Sequence, residues 1–310
     1  MRRWFAYQIR WMMEPYRRYC WMIELLSREK LTREEICDRW ERSPLNDTHE
    51  RLSRRTFIRD KQSIEDHFDL EIQYDPVYHT YSLMDTALLH SDSLLRYLLE
   101  QNRMTDLARL SKRMREKVVL EPLCTGSEQL PTLLEAMEAG VTVRFKYISY
   151  YEPDREKSFE LIPCFVRLFA HRWYLIGEFP DRTQHRVLAL ERMSDLQPTD
   201  LKMKPSAKMN PADFYQDCYG IIHDDSLPQK IRIKVYGPQV EYVRSVPFHE
   251  SQVEEEQGDG YAVFSVFVRP SYDFVQQLLW NREQIEVLSP EEFRNQIIDM
   301  LRQMLGRYVP

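Results

Sequence analysis

The chain has 310 residues and a formal net charge of −6 at pH 7, and 43% of its residues are hydrophobic. This length is enough for two or three domains, each with a core of its own. Five cysteines are odd in number and form no CxxC pair, which argues against a disulfide framework or a zinc knuckle. No run approaches the roughly 18 apolar residues of a membrane span, so we expect a cytoplasmic protein.

Motifs that would indicate an enzyme are missing from the sequence. With only eight glycines there is no P-loop and no GxGxxG motif, and the eight histidines show no HExxH spacing. The acidic run Glu254–Glu256 lies in a loop-like context, which is typical of a solvated face and not of paired catalytic carboxylates. We therefore expect no catalytic activity, no cofactor and no bound metal.

The N-terminal part is basic although the whole chain is acidic. Through Ile64 there are 15 Lys plus Arg against 10 Asp plus Glu, and residues 51–61 carry five cations and one acid. Backbone phosphates respond to the nearby field and not to the total charge. Such a stripe is compatible with DNA binding, and equally with a solvated helix face.

Three helices and a hairpin are predicted in this basic region. A first amphipathic helix covers residues 15–28, and Thr32 with Glu35 forms a capping box that opens a second. Ser53 caps a third helix over residues 53–68, with core positions at Phe57, Ile64 and Phe68 and outward positions at Arg54, Arg55, Ile58 and Arg59. Alternating segments at residues 70–74 and 81–83 then predict a hairpin. This order is that of a winged helix-turn-helix.

In such a domain the third helix would read DNA. A recognition helix presents its first residues to base edges in the major groove, and its amide dipole favours phosphate. Arg54 and Arg55 are the predicted base-reading residues, with Ser53, Thr56 and Arg59 on phosphates. The wing tip between Asp75 and His79 has no Lys or Arg. We therefore expect weak contacts from the wing.

The remaining chain predicts a helical linker and two further domains. Residues 87–121 have helical spacing and a basic polar face. They predict either a linker helix that packs on its neighbours or a helix that forms a dimer. After a helix ended by Gly140, predicted strands cover residues 141–149, 159–163, 165–169, 173–177 and 187–193, which suggests a small bent barrel. Alternation places Trp173 and Leu175 on one side of their strand. Arg186 and Arg192 are likewise expected to share one side of the last strand.

The C-terminal part predicts β-α-β-β-α-β plus a final helix, the ferredoxin-like order. The expected fold class is thus α+β and multidomain. The boundaries are residues 15–85 for the winged helix-turn-helix, 86–122 for the linker, 123–200 for the barrel and 201–310 for the ferredoxin-like domain.

Three parts of the chain carry a resemblance to known families. HRWYLIG (171–177) followed by RVLALER (186–192) resembles the WYL regulators of bacteria, together with Phe145, Tyr147 and Pro163 upstream and Met193 downstream. The run Ser53–Phe57 with Arg59-Asp60 resembles the recognition helix of DeoR-like helix-turn-helix domains that are often fused to WYL domains. The C-terminal part resembles the extension that accompanies them. The resemblance implies a transcriptional regulator with an Sm-like WYL barrel.

The resemblance also implies an anionic ligand, a nucleotide or short nucleic acid, because arginine forks grip phosphate and aromatic faces stack on bases. The matching positions are Tyr147, His171, Arg172, Trp173, Tyr174, Arg186 and Arg192. Alternatively, Trp173 belongs to the core and the arginines pair internally with Glu191 or Glu178. We expect a homodimer on double-stranded DNA. The alternative function is an accessory protein that binds RNA or single-stranded DNA through the barrel.

Overall fold

The computed structural model describes residues 15–46, 48–87, 89, 93–105, 117, 126–224 and 226–309. The chain divides into two compact units, Met1–Glu121 and Pro122–Pro310. Within the described ranges, no helix combines the length and apolar character needed to cross a membrane. The predicted division into four parts stays a prediction.

Up to Leu83, the described part of the first unit contains three helices and a small antiparallel sheet. Its elements are α1 (15–26), β1 (Leu31–Thr32), α2 (Arg33–Glu41), α3 (Arg54–Phe68), β2 (Ile72–Asp75) and β3 (Thr80–Leu83). The sheet order is β1-β3-β2. The predicted capping box is confirmed, since the Thr32 side chain accepts from the Glu35 backbone and the Glu35 carboxylate accepts from the Thr32 backbone. Ser53 caps α3 as predicted.

The core of this unit lies between the three helices. Each helix buries one apolar stripe, as amphipathic spacing requires: Met22 and Ile23 from α1, Ile36 and Trp40 from α2, and Phe57 and Ile64 from α3. Phe68, a predicted core residue, is only partly buried but packs against the same cluster. The face of α3 with Arg54, Arg55, Ile58 and Arg59 is exposed, as predicted.

The predicted linker helix falls mainly outside the described residues. One helix, α4 (Ser93–Thr105), lies within it, and its Leu95 and Leu99 pack against the core of the first unit. Most of the basic face predicted for this segment lies outside the described residues.

The central sheet follows α5 (Leu130–Ala139), which Gly140 ends with the positive φ of 65° that favours glycine. The strands are β4 (Val141–Ser149), β5 (Glu152–Phe169), β6 (Arg172–Glu178), β7 (His185–Ala189) and β8 (Met193–Lys202). Their order is β7-β6-β5-β4-β8. The long β5 pairs with β4 through its first half and with β6 through its second half. It therefore replaces two predicted strands, and β8 was not predicted.

Two predictions about this sheet are wrong. Among the described strands, the edge strands β7 and β8 do not pair with each other, so the sheet stays open and the predicted barrel is not closed. In addition, β7 ends at Ala189 and a 3₁₀ turn covers Leu190–Arg192. Because that turn ends the strand alternation, Arg186 and Arg192 do not share one side of a strand.

The C-terminal sheet has the predicted order of elements. These are β9 (Gln229–Tyr236), α7 (Gln239–Ser245), β10 (Val253–Gly258), β11 (Tyr261–Val268), α8 (Tyr272–Trp280), β12 (Ile285–Ser289) and α9 (Glu291–Leu305). The sheet order is β10-β11-β9-β12, with antiparallel neighbours. A short helix, α6 (Pro211–Phe214), precedes this sheet. The acidic run Glu254–Glu256 lies on β10, so its assignment to a loop was wrong.

Candidate functional site

The first turn of α3 presents an exposed basic surface. Arg54 and Arg55 are exposed, as is Ile58 at 54% of its surface, and no acid lies in this turn. The Ser53 hydroxyl accepts from the Thr56 backbone amide at 3.0 Å and lies 2.8 Å from the Thr56 hydroxyl. Both hydroxyls therefore stay at the amino end of the helix, where backbone N–H groups and the helix dipole favour an anion.

The two leading arginines differ from their neighbours in lacking a carboxylate. Among the described residues, Arg54 and Arg55 form no ion pair, whereas several cations of the same unit have an acidic partner: Arg33 with Glu34, Arg39 with Glu29, Arg51 with Glu34 and Asp38, and Lys61 with Glu65. Arg59 lies 3.2 Å from the Asp60 carboxylate but keeps 61% of its side chain exposed. Among the described residues, the positive charge at the start of α3 is therefore not offset by a paired carboxylate.

A buried ion pair, which the sequence did not reveal, fixes α3 against α1. The Asp60 carboxylate is fully buried and accepts hydrogen bonds from Nε and Nη2 of Arg18, the second at 3.1 Å. The Arg18 guanidinium also lies 5.8 Å from the centre of the Trp40 ring on α2. This pair joins all three helices and so determines where the arginines of α3 point.

The hairpin flanks the same surface. A groove between the starts of α2 and α3 and the hairpin is lined by Thr32, Arg54, Ile58, Tyr74 and His79, among others. The Tyr74 hydroxyl and Nδ1 of His79 are 2.7 Å apart. The hairpin therefore contributes aromatic and hydroxyl groups to this surface.

A second candidate site lies in the central sheet, around Glu191. Nη1 of Arg172 donates to Oε1 of Glu191 at 2.7 Å, and Nε of Arg192 lies 3.9 Å from the same oxygen. Burial raises the pKa of both Tyr147 and Tyr174. The positive charge of Arg192 lowers the pKa of Tyr147 and so opposes that rise, and the charges of Arg172 and then Arg192 do the same for Tyr174. Four of the seven predicted ligand residues are thus gathered at one place.

This cluster is incompletely satisfied. Among the described residues it brings together the guanidinium groups of Arg172 and Arg192 and the carboxylate of Glu191. Within the described part of the chain, Oε2 of Glu191 and Nε of Arg192 are buried and have no hydrogen-bond partner. Buried polar atoms are normally hydrogen-bonded, so the two atoms suggest a group that completes the site.

The other predicted ligand residues lie elsewhere. His171 is exposed in the turn before β6, with φ at 64°. Trp173 packs with Leu175 against the sheet core, in agreement with the alternative that it is a core residue. Arg186 donates to the His185 carbonyl at 3.0 Å and to Oε1 of Gln184 at 2.8 Å, and lies over the Phe179 ring. It is therefore not part of the cluster around Glu191.

The sequence offered Glu191 and Glu178 as internal partners of the arginines, and among the described residues Glu191 takes that role. Glu191 pairs with Arg172 and approaches Arg192. The Glu178 carboxylate instead accepts from the Ser206 amide at 3.0 Å and the Ser206 hydroxyl at 2.8 Å. Glu178 is therefore a structural acceptor that holds the segment after β8.

Tyr150 was missed by the sequence reasoning. Its ring centre lies 3.8 Å from Cζ of Arg192, and 63% of the residue is exposed. The signal that could have found it is the pair Tyr150-Tyr151 in the two-residue turn between β4 and β5, where glycine or asparagine is usual.

Metal and thiol chemistry find no support in the described residues. No group of three or more His, Cys, Asp or Glu side chains is placed to hold a metal ion there. Burial raises the pKa of the Cys164 and Cys218 thiols to about 12. Because thiolate is the reactive form, both thiols are unreactive at neutral pH.

Comparisons with known proteins identify two domains. Residues 128–198 match the WYL domain and residues 227–305 match the WCX domain. The WYL resemblance is thereby confirmed. Neither match includes the first unit, so the comparisons leave the DeoR-like resemblance there as a prediction.

Two solved structures are similar to the chain. The proteasome accessory factor B/C (PafBC) of Arthrobacter aurescens is 18% identical in sequence, with a TM-score of 0.36. The match covers 93% of this chain and 46% of that chain. A CRISPR Cas-related protein is 13% identical, with a TM-score of 0.37 over 84% of this chain and 74% of that one. The chain thus spans about half the length of the PafBC chain. No curated protein matches the chain in sequence.

Proposed function

We propose that this chain is a cytoplasmic, DNA-binding transcriptional regulator whose WYL domain binds an anionic ligand. Proteins with WYL domains are typically DNA-binding transcriptional regulators. The observation that carries the proposal is the exposed arginine pair at the start of α3, Arg54 and Arg55, which has no carboxylate partner among the described residues.

The first unit supplies the elements that a winged helix-turn-helix needs. Its order α1-β1-α2-α3-β2-β3 leaves α3 with one buried and one basic exposed face. In the proposed complex α3 enters the major groove, Arg54 and Arg55 contact base edges, and Ser53, Thr56 and Arg59 contact phosphates. Arginine suits the first role because its planar fork matches the two acceptors of guanine.

The DNA-binding proposal is tested by fluorescence anisotropy with duplex and single-stranded probes across a salt series. Arg54→Ala and Arg55→Ala should each cost about 1–3 kcal/mol at the specific site. Arg59→Ala should weaken binding to all duplexes and reduce the slope of log K against log salt by about 0.9. Lys202→Ala, an exposed cation at the end of β8, is the charge-matched control.

Two outcomes would contradict this proposal. Unchanged duplex affinity in the Arg54, Arg55 double variant would exclude α3 as the reading helix. Tighter binding of single-stranded than of duplex probes would favour the alternative, an accessory protein acting on RNA or single-stranded DNA. Circular dichroism of each variant confirms that the fold is retained.

For the ligand, we propose that one phosphate accepts a hydrogen bond from Nε of Arg192, which is buried without a hydrogen-bond partner among the described residues. Arginine–phosphate pairs combine charge with two parallel hydrogen bonds, which suits a partly buried site. Calorimetry with a nucleoside monophosphate should show binding by the parent and loss of binding by Arg192→Ala. Arg186→Ala is the matched control, because Arg186 lies in the same domain but outside the cluster. Equal losses in the two variants would contradict this assignment.

We further propose that the regulator acts as a homodimer. A single winged helix buries too little surface for high specificity, and paired half-sites lie roughly 34–36 Å apart or at a multiple of that distance. Light scattering at tens of micromolar, with and without DNA, measures the mass directly. A monomeric mass under both conditions would overturn this part of the proposal.

A further inference from the structure

The segment between β8 and β9 covers one face of the central sheet. This segment, the clasp, comprises residues 206–224. Its Met209 and Phe214 are buried in one apolar cluster with Phe165 of β5 and Ile176 of β6. Neighbouring positions of these two strands pack against α5 on the opposite face. The clasp therefore covers the side of the sheet that α5 leaves open.

The clasp also contacts the second half of β5 through aromatic rings. The Arg167 guanidinium lies 3.9 Å from the centre of the Tyr215 ring, and the ring centres of Phe169 and Tyr219 are 6.0 Å apart. A guanidinium over an aromatic face is attracted by the ring quadrupole, more strongly where water is excluded. Arg167 is half-buried, so its contact with Tyr215 ties the clasp to the central sheet.

On its other side the clasp is tied to the start of α8. Oδ2 of Asp273, in the first turn of α8, accepts hydrogen bonds from the backbone amides of Ile221 at 2.7 Å and Ile222 at 2.8 Å. Gly220 precedes them with a φ of 84°, and a Cβ atom there would lie 2.5 Å from the same oxygen. Glycine permits both this backbone conformation and this close approach, so the clasp is fitted to the Asp273 carboxylate.

Arg269, just before α8, holds the clasp at two further points. Its Nε and Nη2 donate to the two carboxylate oxygens of Asp217 at 2.8 and 3.0 Å, and its Nη1 donates to the Asp224 carbonyl at 3.0 Å. Bidentate arginine–carboxylate pairs are strong because charge and geometry both favour them. The C-terminal domain thus holds the clasp by charged hydrogen bonds from both Asp273 and Arg269.

The clasp adjoins the cluster around Glu191. Tyr174 lies opposite Arg167 in the β5–β6 ladder and packs against the apolar cluster under the clasp. The same tyrosine is one of the residues gathered around Glu191. A contiguous set of packed groups therefore leads from Glu191, through Tyr174, Arg167 and the clasp, to Asp273.

We propose that the clasp transmits conformational change between the central sheet and the C-terminal domain. Closely packed interiors pass strain to their neighbours. A displacement of Arg167 or Tyr174 therefore loosens the clasp at Asp273, and release of Asp273 loosens the clasp on β5. Energetic coupling between two sites is reciprocal, so each direction predicts the other. This transmission requires neither DNA binding nor an anionic ligand.

Hydrogen exchange followed by mass spectrometry on the full-length chain measures both directions. Asp273→Ala should accelerate amide exchange in the clasp and in residues 172–178 of the central sheet by about tenfold or more, because two amides lose a charged acceptor. Arg167→Ala should accelerate exchange in the clasp and in α8 by about threefold or more. The matched controls are Asp259→Ala, an exposed aspartate in the turn between β10 and β11, and Arg155→Ala, an exposed arginine on β5. Both should leave these regions unchanged.

The distribution of the faster exchange decides the outcome. Acceleration that stays on the mutated side of the clasp, in either variant, would overturn the proposal. Equal acceleration in β10 would also overturn it, because the variants would then destabilise the whole unit. If Asp273→Ala does not fold, Asp273→Asn, which keeps an oxygen acceptor, should show the same distribution with a smaller factor. Failure of the parent to bind duplex DNA or a nucleotide would refute the proposed function and leave this transmission untouched.

Discussion

The buried pair Arg18–Asp60 should dominate the stability of the first unit. Asp60→Asn removes the carboxylate that, among the described residues, pairs with the Arg18 guanidinium at its buried position, where the Arg18 side chain is 11% exposed and that of Asp60 is 0% exposed. Breaking a buried pair from one side costs about 3–5 kcal/mol, because an uncompensated charge stays behind. Since each 1.4 kcal/mol is a factor of ten, amide exchange in α3 should accelerate by on the order of 10²-fold to several thousandfold.

Hydrogen exchange followed by mass spectrometry measures this locally, with peptides from β9 and β11 as an internal reference. Arg59→Ala removes the exposed partner of the same carboxylate and should cost at most about 1 kcal/mol. The apolar double variant Arg18→Met, Asp60→Leu should recover most of the loss, since replacing both charges removes the desolvation penalty. If Asp60→Asn and Arg59→Ala accelerate exchange equally, the pair does not hold α3 and this reasoning is wrong.

Two smaller predictions concern other contacts. Thr32→Ala should reduce the stability of the first unit by about 1 kcal/mol in urea unfolding, because α2 loses its capping box, while Thr32→Ser should retain it; equal losses would contradict the capping role. In the C-terminal sheet, hydrogen bonds from Lys230 and then Arg232 lower the pKa of Glu255 from 4.5 to about 2. A carboxyl group whose pKa is lower in the folded than in the unfolded chain stabilises the fold at pH values above its unfolded pKa. That stabilisation is lost as the pH falls from about 4.5 towards 2. The parent should therefore melt at a higher temperature than Glu255→Gln, and the difference in melting temperature should be largest above pH 4.5 and disappear on acidification. A difference that does not depend on pH would exclude this linkage.

The sequence located elements well where local chemistry determines them. The capping box at Thr32, the cap at Ser53 and the helix end at Gly140 all depend on groups a few residues apart, and the structure has all three. Strand alternation likewise placed Trp173 and Leu175 together on one side of β6, where both pack against the sheet core. The order of elements in the C-terminal sheet follows from the same short-range signals.

The sequence failed where distant segments meet. Asp60 could be recognised as exposed or buried only once α1 was placed against α3, because its partner Arg18 is 42 residues away. β8 lacks continuous apolar spacing because it is an edge strand, and its burial pattern is mostly exposed. The two halves of β5 read as separate strands because each half pairs with a different neighbour.

The candidate ligand site shows how one local break changes a functional assignment. Continuous alternation from Arg186 to Arg192 would place both side chains on one face, as the sequence predicted for these two anion-binding candidates. The 3₁₀ turn Leu190–Arg192 instead separates them, so Arg186 stays beside Phe179 while Arg192 joins Arg172 at Glu191. The same turn brings Arg192 over Tyr150, a residue 42 positions earlier in the chain. The end of β7 at Ala189 therefore determines which arginines can bind an anion together. The turn between β4 and β5 supplies the aromatic face beside them.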